Sequence, residues 1–521
     1  MRKDSHRTVA RAAALVMVAF SVSRLLGLVR QMVFALYFGT SPEADAYVAA
    51  VKIPDTLFLV VAGGALGSAF IPLFTQRLAR DDREAAWALA SSVINLLIAV
   101  LVPISLLCIV LAPWLVRVLV APALSVEVQA RTVELMRVML VSPTIFGVSG
   151  ILMGALNAHQ HFLLPALAPI VYNLGLILGG IWGGMTPLGV MGPAVGMIVG
   201  AVGHLLVQLP GLRHFEARYV PTFGLNDPTV RKVGMLIAPR MLGVAAFQIN
   251  MIVISNLASR LGSGAISALE YGWRLMLLPQ GIFAQAVGTA VFPTFSTQVA
   301  EGQDQAMRGT LIRTLRLLMA LTIPASVGLA VLGTPIIVLV FEGGEFDAVS
   351  TRNVSWALGF FAVGLVGHSA LEILGRAFYA MHDTWTPAGA AIIAVLLNGV
   401  LGLVLPSLFE RAGWMPIGGL ALATAIAALV EAGLLVVRAD QRLGGLDFIS
   451  FARTAWRVSV ASAGMAAVLF FFLQQAPDPA LLRVGLGIPL GAGTYALIAW
   501  LLGVRELRDA TNLVLRRFVS R

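Results

Sequence analysis

The chain has 521 residues, 58% of them hydrophobic and only 12% charged, with a mean hydropathy of +0.88. So much apolar surface excludes a soluble globular protein, and continuous apolar runs of about 20 residues exclude a β-barrel with its short alternating strands. The net charge of +10 would point to nucleic acid in a soluble protein; here basic loops account for most of it, and no nucleic-acid partner is expected.

Runs long enough to cross ~30 Å of hydrocarbon predict an all-α polytopic membrane protein with about fourteen helices. In chain order they lie near 12–38, 44–76, 86–120, 128–157, 162–183, 187–211, 233–259, 264–297, 310–341, 351–380, 385–407, 416–437, 452–474 and 481–503. The basic start Met1–Arg11 leads into a helix too long for a signal-peptide core, so no cleavable signal is expected. Pro54, Pro103, Pro143, Pro324 and Pro335 fall inside spans and predict tilts or kinks. The single cysteine, Cys108, sits in an apolar run and allows no intrachain disulfide.

Loop charge sets the orientation. With an even helix count both termini share a side. That side carries Arg2, Lys3, Arg7 and Arg11, then Arg77, Arg80 and Arg83, then Arg213, Arg218, Arg231 and Lys232. Arg308, Arg438, Arg442 and the tail Arg505, Arg508, Arg516, Arg517 and Arg521 follow, against a sparse opposite set of Arg131, Arg260, Arg352, Arg411 and Arg483. The positive-inside bias places both termini in the cytoplasm.

The chain also repeats itself. Gly67-Ser-Ala-Phe-Ile-Pro72-Leu-Phe74 recurs as Gly288-Thr-Ala-Val-Phe-Pro293-Thr-Phe295, an offset of 221 residues. Looser echoes join Ser23-Arg24-Leu-Leu-Gly27 to Pro239-Arg240-Met-Leu-Gly243, and Gly154-Ala-Leu-Asn157 to Gly375-Arg376-Ala-Phe378. An offset of six helices predicts two lobes of the same orientation, a transporter architecture with the substrate between halves. The expected divisions are a six-helix lobe over 1–212, a cytoplasmic linker over 213–232, a second lobe over 233–442, and two added helices with a basic tail over 443–521.

Four basic residues, Arg24, Arg30, Lys52 and Arg274, lie deep within these spans. A charge at the bilayer centre costs about 2.5–3.5 kcal/mol on insertion scales, which is tolerated where it faces a wet, protein-lined cavity or a partner. Such residues point to an anionic cargo. Arg24 is ~18 Å into its helix, Arg30 is roughly 120° further round, and Gly27 shares Arg24's face. Snorkelling is the competing account, weakest for central Arg24. Lys52 has Asp55 at i+3, with Asp45 a heptad earlier; Arg274 has Glu270 at i−4, the favourable order for a helix ion pair. A paired guanidinium still has donors left for a phosphate. Asn173, Gln248, Asn250, Asn256, His204, His368 and Asn398 lie in apolar helices, where such groups mostly serve as interhelical hydrogen-bond glue. No metal-ligand spacing, nucleotide loop, nucleophile elbow or paired-carboxylate pattern is present, so neither an enzyme nor a bound cofactor or metal is expected. Movement of cargo would draw on a gradient, the membrane potential or a partner.

Several motifs are similar to those of the MurJ/MviN family of lipid II flippases. They are Ser23-Arg-Leu-Leu-Gly-Leu-Val-Arg30, Asp45-Ala-Tyr with Lys52-Ile-Pro54, Leu156-Asn-Ala-His159 with Pro165-Ala-Leu-Ala-Pro169, Arg274-Leu-Met-Leu-Leu-Pro279-Gln-Gly281, and Arg376-Ala-Phe-Tyr-Ala-Met-His-Asp383-Thr-Trp-Thr-Pro387. They run in order over about residues 10–440 and are specific jointly, not singly. The resemblance implies fourteen helices of the multidrug/oligosaccharidyl-lipid/polysaccharide exporter superfamily, with two lobes in a V-shaped alternating-access core. It implies a groove for a lipid tail on the last two helices, and export of lipid-linked peptidoglycan precursor across the bacterial cytoplasmic membrane for cell-wall synthesis. Membrane lipids and cell-wall synthesis proteins are the partners implied. Arg24, Arg30 and Arg274 carry over as diphosphate-binding residues; Lys52 is added as the nearby base, with Asp45, Asp55, Glu270 and Asn173 in support.

The departures are specific. The second-helix arginine usual in the family is missing from Thr56-Leu-Phe58 to Gly63-Gly64, and the acid before the eighth-helix arginine is Trp273. The turn Phe341-Glu-Gly-Gly344 lacks its arginine. Acids that bind sodium in some members correspond to Ile254 and Gly402, leaving Asn398 alone, so sodium coupling is not expected. Two other readings stay open on this scaffold: a cation-coupled exporter of soluble compounds, and a transport-inactive membrane scaffold.

Overall fold

The computed structural model describes residues 2–62, 65–504 and 506, without the side chains of 2–16, 20, 62, 65–69, 236–240 and 242. The terminal bases Arg2, Lys3, Arg7, Arg11, Arg505, Arg508, Arg516, Arg517 and Arg521, the pair Gly63-Gly64 and Arg240 of the looser repeat therefore lie outside the described residues or side chains.

Among the described residues every regular element is helical. The first group is α1 (Arg2–Phe38), α2 (Pro42–Leu57), α3 (Ala65–Leu78), α4 (Arg83–Trp114), α5 (Val126–Met139) and α6 (Ser142–Ala158). Next come α7 (Leu163–Gly184), α8 (Met191–Leu206), the short α9 (Leu209–His214) and α10 (Pro228–Ala258). The rest are α11 (Ala265–Gln280), α12 (Ala286–Ala300), α13 (Asp304–Phe341), α14 (Ala348–Ala380), α15 (Trp385–Arg411), α16 (Pro416–Leu443), α17 (Phe448–Gln475) and α18 (Ala480–Leu501). Among the described residues 13 helical stretches are long and apolar enough to cross a membrane, which makes this a multi-pass membrane protein. The span expected at 44–76 is not among them: Asp45, Lys52 and Asp55 interrupt the apolar run over 42–62. A π-helical turn, Phe58–Ala62, follows α2, and α3 starts at Ala65.

Bends occur where proline removes a ladder donor or a π turn widens the helix. π turns sit at Phe58–Ala62, Leu115–Val120 and Gly281–Gln285. The first and third lie four residues after Pro54 and two after Pro279, at nearly the same place in the 221-residue repeat.

The described chain forms two packing units: Met1–Ser267 with Gly343–Phe346, and Ala268–Glu342 with Asp347–Arg521. In the first, α7 and α8 approach through matched glycines. A Cβ on Gly179 would stand 2.6 Å from the Gly192 carbonyl oxygen, and one on Gly196 would stand 2.5 Å from that of Gly175. In lipid, where apolar burial gives helices no reason to associate, such backbone contact supplies the dispersion attraction that holds them. Around Phe70, Phe74, Trp87 and Leu101 a second cluster joins α3, α4 and α6. In the second unit Phe295, Leu311, Ile373, Phe378 and Leu435 form a core shared by α12, α13, α14 and α16. There α17 and α18 pack on α13 through Val458, Met465, Leu469 and Tyr495, whose hydroxyl donates to the Ala320 carbonyl at 2.6 Å. Outward faces are apolar, as lipid requires: Leu106, Leu107 and Val110 of α4 are all strongly exposed.

Candidate functional site

On α1 the two arginines occupy different stripes. Asn173 of α7 donates to the Ser23 carbonyl at 3.4 Å and to that of Pro169 at 3.0 Å. Val33 and Tyr37 lie against Gly180 and Gly184 of the same helix. Ser23, Arg30 and Tyr37 are seven residues apart, and a heptad drifts only ~20° round a helix, so Arg30 lies on the stripe turned to α7 and is half-buried. Arg24 is exposed and shares its stripe with Gly27, where an added Cβ would meet nothing within 4 Å. Arg24 thus stands on an open face of a membrane helix. Asn173 acts as the glue between α1 and α7 one residue from it.

On α2, Lys52 and Asp55 are both half-buried and one turn apart. The Lys52 carbonyl accepts from Thr56 Oγ1 at 2.6 Å, and Gln248 of α10 reaches Thr56 Oγ1 at 3.4 Å. That hydroxyl relay braces the last turn of α2 ahead of the π turn. Asp45 is placed differently from its predicted neighbours. It is fully buried, accepting from Gly264 N at 2.6 Å, Ser267 N at 2.8 Å and Ser267 Oγ at 2.7 Å. These donors belong to the lead-in and first turn of α11, where an anionic cap completes backbone groups that have no helical partner. The loop is tight enough to need glycine at Gly264, with φ +82° and a Cβ position 2.3 Å from the Thr40 carbonyl oxygen. With its acceptor sites turned to this cap, Asp45 holds structure rather than standing beside Lys52.

In the second unit the expected ion pair is present: Arg274 Nη2 meets Glu270 Oε1 at 2.7 Å, with the arginine side chain 39% exposed and the glutamate 18%. The guanidinium is the more open partner of the pair. Trp273, standing where the family has an acid, packs edge-on to His368 at 5.0 Å and to Phe361 at 5.6 Å. By spacing alone Arg376 is one more helix pair. Besides Glu372 it also reaches Thr289 Oγ1 at 3.1 Å, and its Nε would lie 3.0 Å from a Cβ on Gly288. The Gly288-Thr289 step is therefore the seat of an arginine, which its recurrence does not signal, because the position matching Arg376 in the first copy is Ala155.

The other polar residues of the spans mostly link helices. His204 Nδ1 lies 2.6 Å from Ser149 Oγ, which also accepts from Gln208 at 2.7 Å. Asn256 donates to the Val118 and Leu119 carbonyls left open by the second π turn, at 3.1 and 2.9 Å. Thr424 donates to Asn398 Oδ1 at 3.4 Å. Among the described residues no group of three His, Cys, Asp or Glu side chains converges as a metal site. In the loops, Asp227 caps α10 and pairs with Arg77, while Asp383 caps α15 through Thr386 N at 2.9 Å and pairs with Arg442 at 2.6 Å. Partial burial works against ionised Asp383, but the Thr386 hydrogen bonds and the Arg442 charge outweigh it and hold the carboxyl below its usual range.

Comparison with known proteins places this geometry. The family model described as "Lipid II flippase MurJ" matches residues 34–479. The "Lipid II flippase MurJ" of Burkholderia cenocepacia is 32% identical over 403 residues, covering 75% of this chain and 77% of that protein. A solved "Lipid II flippase MurJ, inward closed conformation" superposes with a TM-score of 0.78 at 28% identity, over 95% of this chain and 99% of that one. A multidrug resistance MATE family transporter of the MOP superfamily, in an inward-facing conformation, shares the fold at 17% identity and a TM-score of 0.68, over 82% of this chain and 98% of that one. With the family model covering most of its length, this chain belongs to the MurJ family of lipid II flippases.

Proposed function

We propose that this protein translocates lipid II, the lipid-linked peptidoglycan precursor, from the cytoplasmic to the outer leaflet of the bacterial cytoplasmic membrane by alternating access. The observation that carries the reading is Arg24, a membrane-depth arginine on an open helix face, in a chain of this family. A diphosphate is the anion such a guanidinium suits, because its fork matches paired phosphate oxygens. Arg274, oriented by Glu270, and Lys52 are the further diphosphate contacts, while Arg30, on the α7-facing stripe, has a secondary part. Asp55 tunes Lys52 from one turn away. Asp45 and Asn173 support the site through the backbone they fix.

The protein has both termini in the cytoplasm, with lobes over 1–212 and 233–442, and hands its cargo to cell-wall synthesis proteins outside. No nucleotide-binding motif is present in the sequence, so a gradient, the membrane potential or a partner drives the cycle. Complementation of a bacterium depleted of its own lipid II flippase tests the reading. Wild type restores growth and cell shape, whereas Arg24→Ala and Arg274→Ala, present in the membrane at the wild-type level, do not. Growth restored equally by both variants contradicts the assigned roles.

A further inference from the structure

The second unit holds a carboxyl that the diphosphate chemistry does not use. Glu431 lies in α16, fifteen residues from its start and twelve from its end, so ~22 and ~18 Å along the axis from either terminus. It is half-buried. No hydrogen bond or ion pair reaches it from the described residues. One turn to either side α16 offers only Ala427, Ala428, Leu434 and Leu435, so the helix supplies no base at i±3 or i±4.

Register places it. Thr424 faces α15, since its hydroxyl bonds to Asn398 there. Glu431 is seven residues on, which returns it to the same stripe within ~20°. It therefore lies on the α15 side of α16, about two turns from the Asn398–Thr424 pair. The helices packed on α16 are α15, α14 and α13. On α15 the ionisable groups are Glu410 and Arg411, at its far end. On α14 they are Arg352 in the first turns, the Glu372–Arg376 pair, Tyr379 in the last turn, and His368, whose ring turns to Trp273 of α11. On α13 they are Asp304, Arg308, Arg313 and Arg316, all in its first four turns, with Arg316 engaged by Glu506, Ser450 and Thr454. On α16 itself Arg438, a heptad away, reaches Gln441. Among the described residues none of these bases pairs with Glu431.

An intramembrane carboxylate without a cation is costly, and the simplest neutral state is the acid. Resting on the flippase reading above, we propose that Glu431 is a proton-binding site of the transport cycle: its carboxylate takes a proton from water on one side of the membrane and releases it on the other, so that a proton gradient biases export. Oxygen and proton balance in both steps, carboxylate plus proton to carboxylic acid and back, and no other reactant is needed.

The test uses the full-length protein in lipid bilayers, with wild type, Glu431→Gln, Glu431→Asp and a His368→Gln control. Infrared difference spectra across a pH titration read the carbonyl stretch of a protonated carboxyl. Proteoliposomes with an imposed pH gradient read export of a fluorescent lipid II. Wild type shows a titrating band and a gradient-dependent rate; Glu431→Gln loses both while keeping the wild-type elution profile and thermal midpoint. Glu431→Asp keeps the band at a shifted position and His368→Gln keeps both signals. The proposal is overturned if Glu431→Gln retains the band or the gradient response, if wild-type export ignores the gradient, or if His368→Gln is the variant that removes it. A wild type that shows the band but exports no lipid II contradicts the flippase reading and leaves the proton site standing.

Discussion

Two bent helices, α2 running through its π turn to α3 and α11 running through its own to α12, carry the same plan with different electrostatics. Lys52 stands six residues before Phe58 and Arg274 seven before Gly281, so a basic residue precedes each widened turn at nearly matching places in the repeat. In α11 the charge has Glu270 one turn back at 2.7 Å. In α2 the same position is Val48, which is buried. The N-termini differ too: α2 caps itself with Ser41 Oγ, accepting from Ala44 N at 3.2 Å, whereas the start of α11 is completed by the buried carboxylate of Asp45. Backbone shape has been kept across the repeat while the charge chemistry has diverged, and under the proposed function Arg274, oriented by Glu270, is the stronger diphosphate contact of the two.

The largest effect that can break this comparison is loss of the stronger base. Arg274→Ala removes charge-assisted hydrogen bonds worth about 1.5–3 kcal/mol, so export falls about 10- to 100-fold, read as initial rate in proteoliposomes. Lys52→Ala produces a smaller fall, and Lys52→Arg keeps or raises the rate because a fork replaces a point charge. A larger loss at Lys52 than at Arg274 reverses the ranking. Next in size is the cap. Asp45→Ala leaves buried amides without an acceptor and lowers stability by about 2–3 kcal/mol, against about 1 kcal/mol for Ser41→Ala, both read from thermal unfolding in detergent. Equal shifts deny the difference between the two helix N-termini.

Much of this was legible in the sequence, and the parts that were not have a common cause. Span positions followed from apolar run length, and the Glu270–Arg274 pair from i,i+4 spacing, because both are local. The separate directions of Arg24 and Arg30 followed from helical periodicity alone. Periodicity also puts Asp45 on the Lys52 face, but its partners lie 219 and 222 residues away, and no local pattern encodes them. The π turns were not legible because one extra residue in a helix has no apolar signature. Gly175, Gly179 and Gly183 opposite Gly192, Gly196 and Gly200 were readable as two small-residue stripes, yet only the structure shows their backbones meeting. Glu431 was readable too, as the lone acid of an apolar run.

A smaller effect separates buried from exposed caps. Asp383 is held ionised below its usual range, so its contribution is fully present above the unfolded carboxyl value of about 4 and fades as pH falls through its lowered folded value. Wild type should therefore lose stability in acid more steeply than Asp383→Asn, the two curves converging at low pH. Smallest of all is Glu270→Gln, which keeps a hydrogen-bonding partner for Arg274 and removes only its charge. A modest change in export, well short of that for Arg274→Ala, is expected. A loss as large as that of Arg274→Ala makes the pair, not the arginine, the functional unit.

The central claim is that membrane-depth bases of this chain carry a lipid-linked diphosphate across the bilayer, and reconstitution tests it most directly. Purified protein is placed in proteoliposomes with fluorescent lipid II, and leaflet exchange is followed by quenching from outside. Wild type accelerates exchange over protein-free vesicles, while Arg24→Ala and Arg274→Ala, inserted to the same density, fall about 10-fold or more. Exchange by wild type no faster than in protein-free vesicles, or undiminished in both variants, contradicts the account.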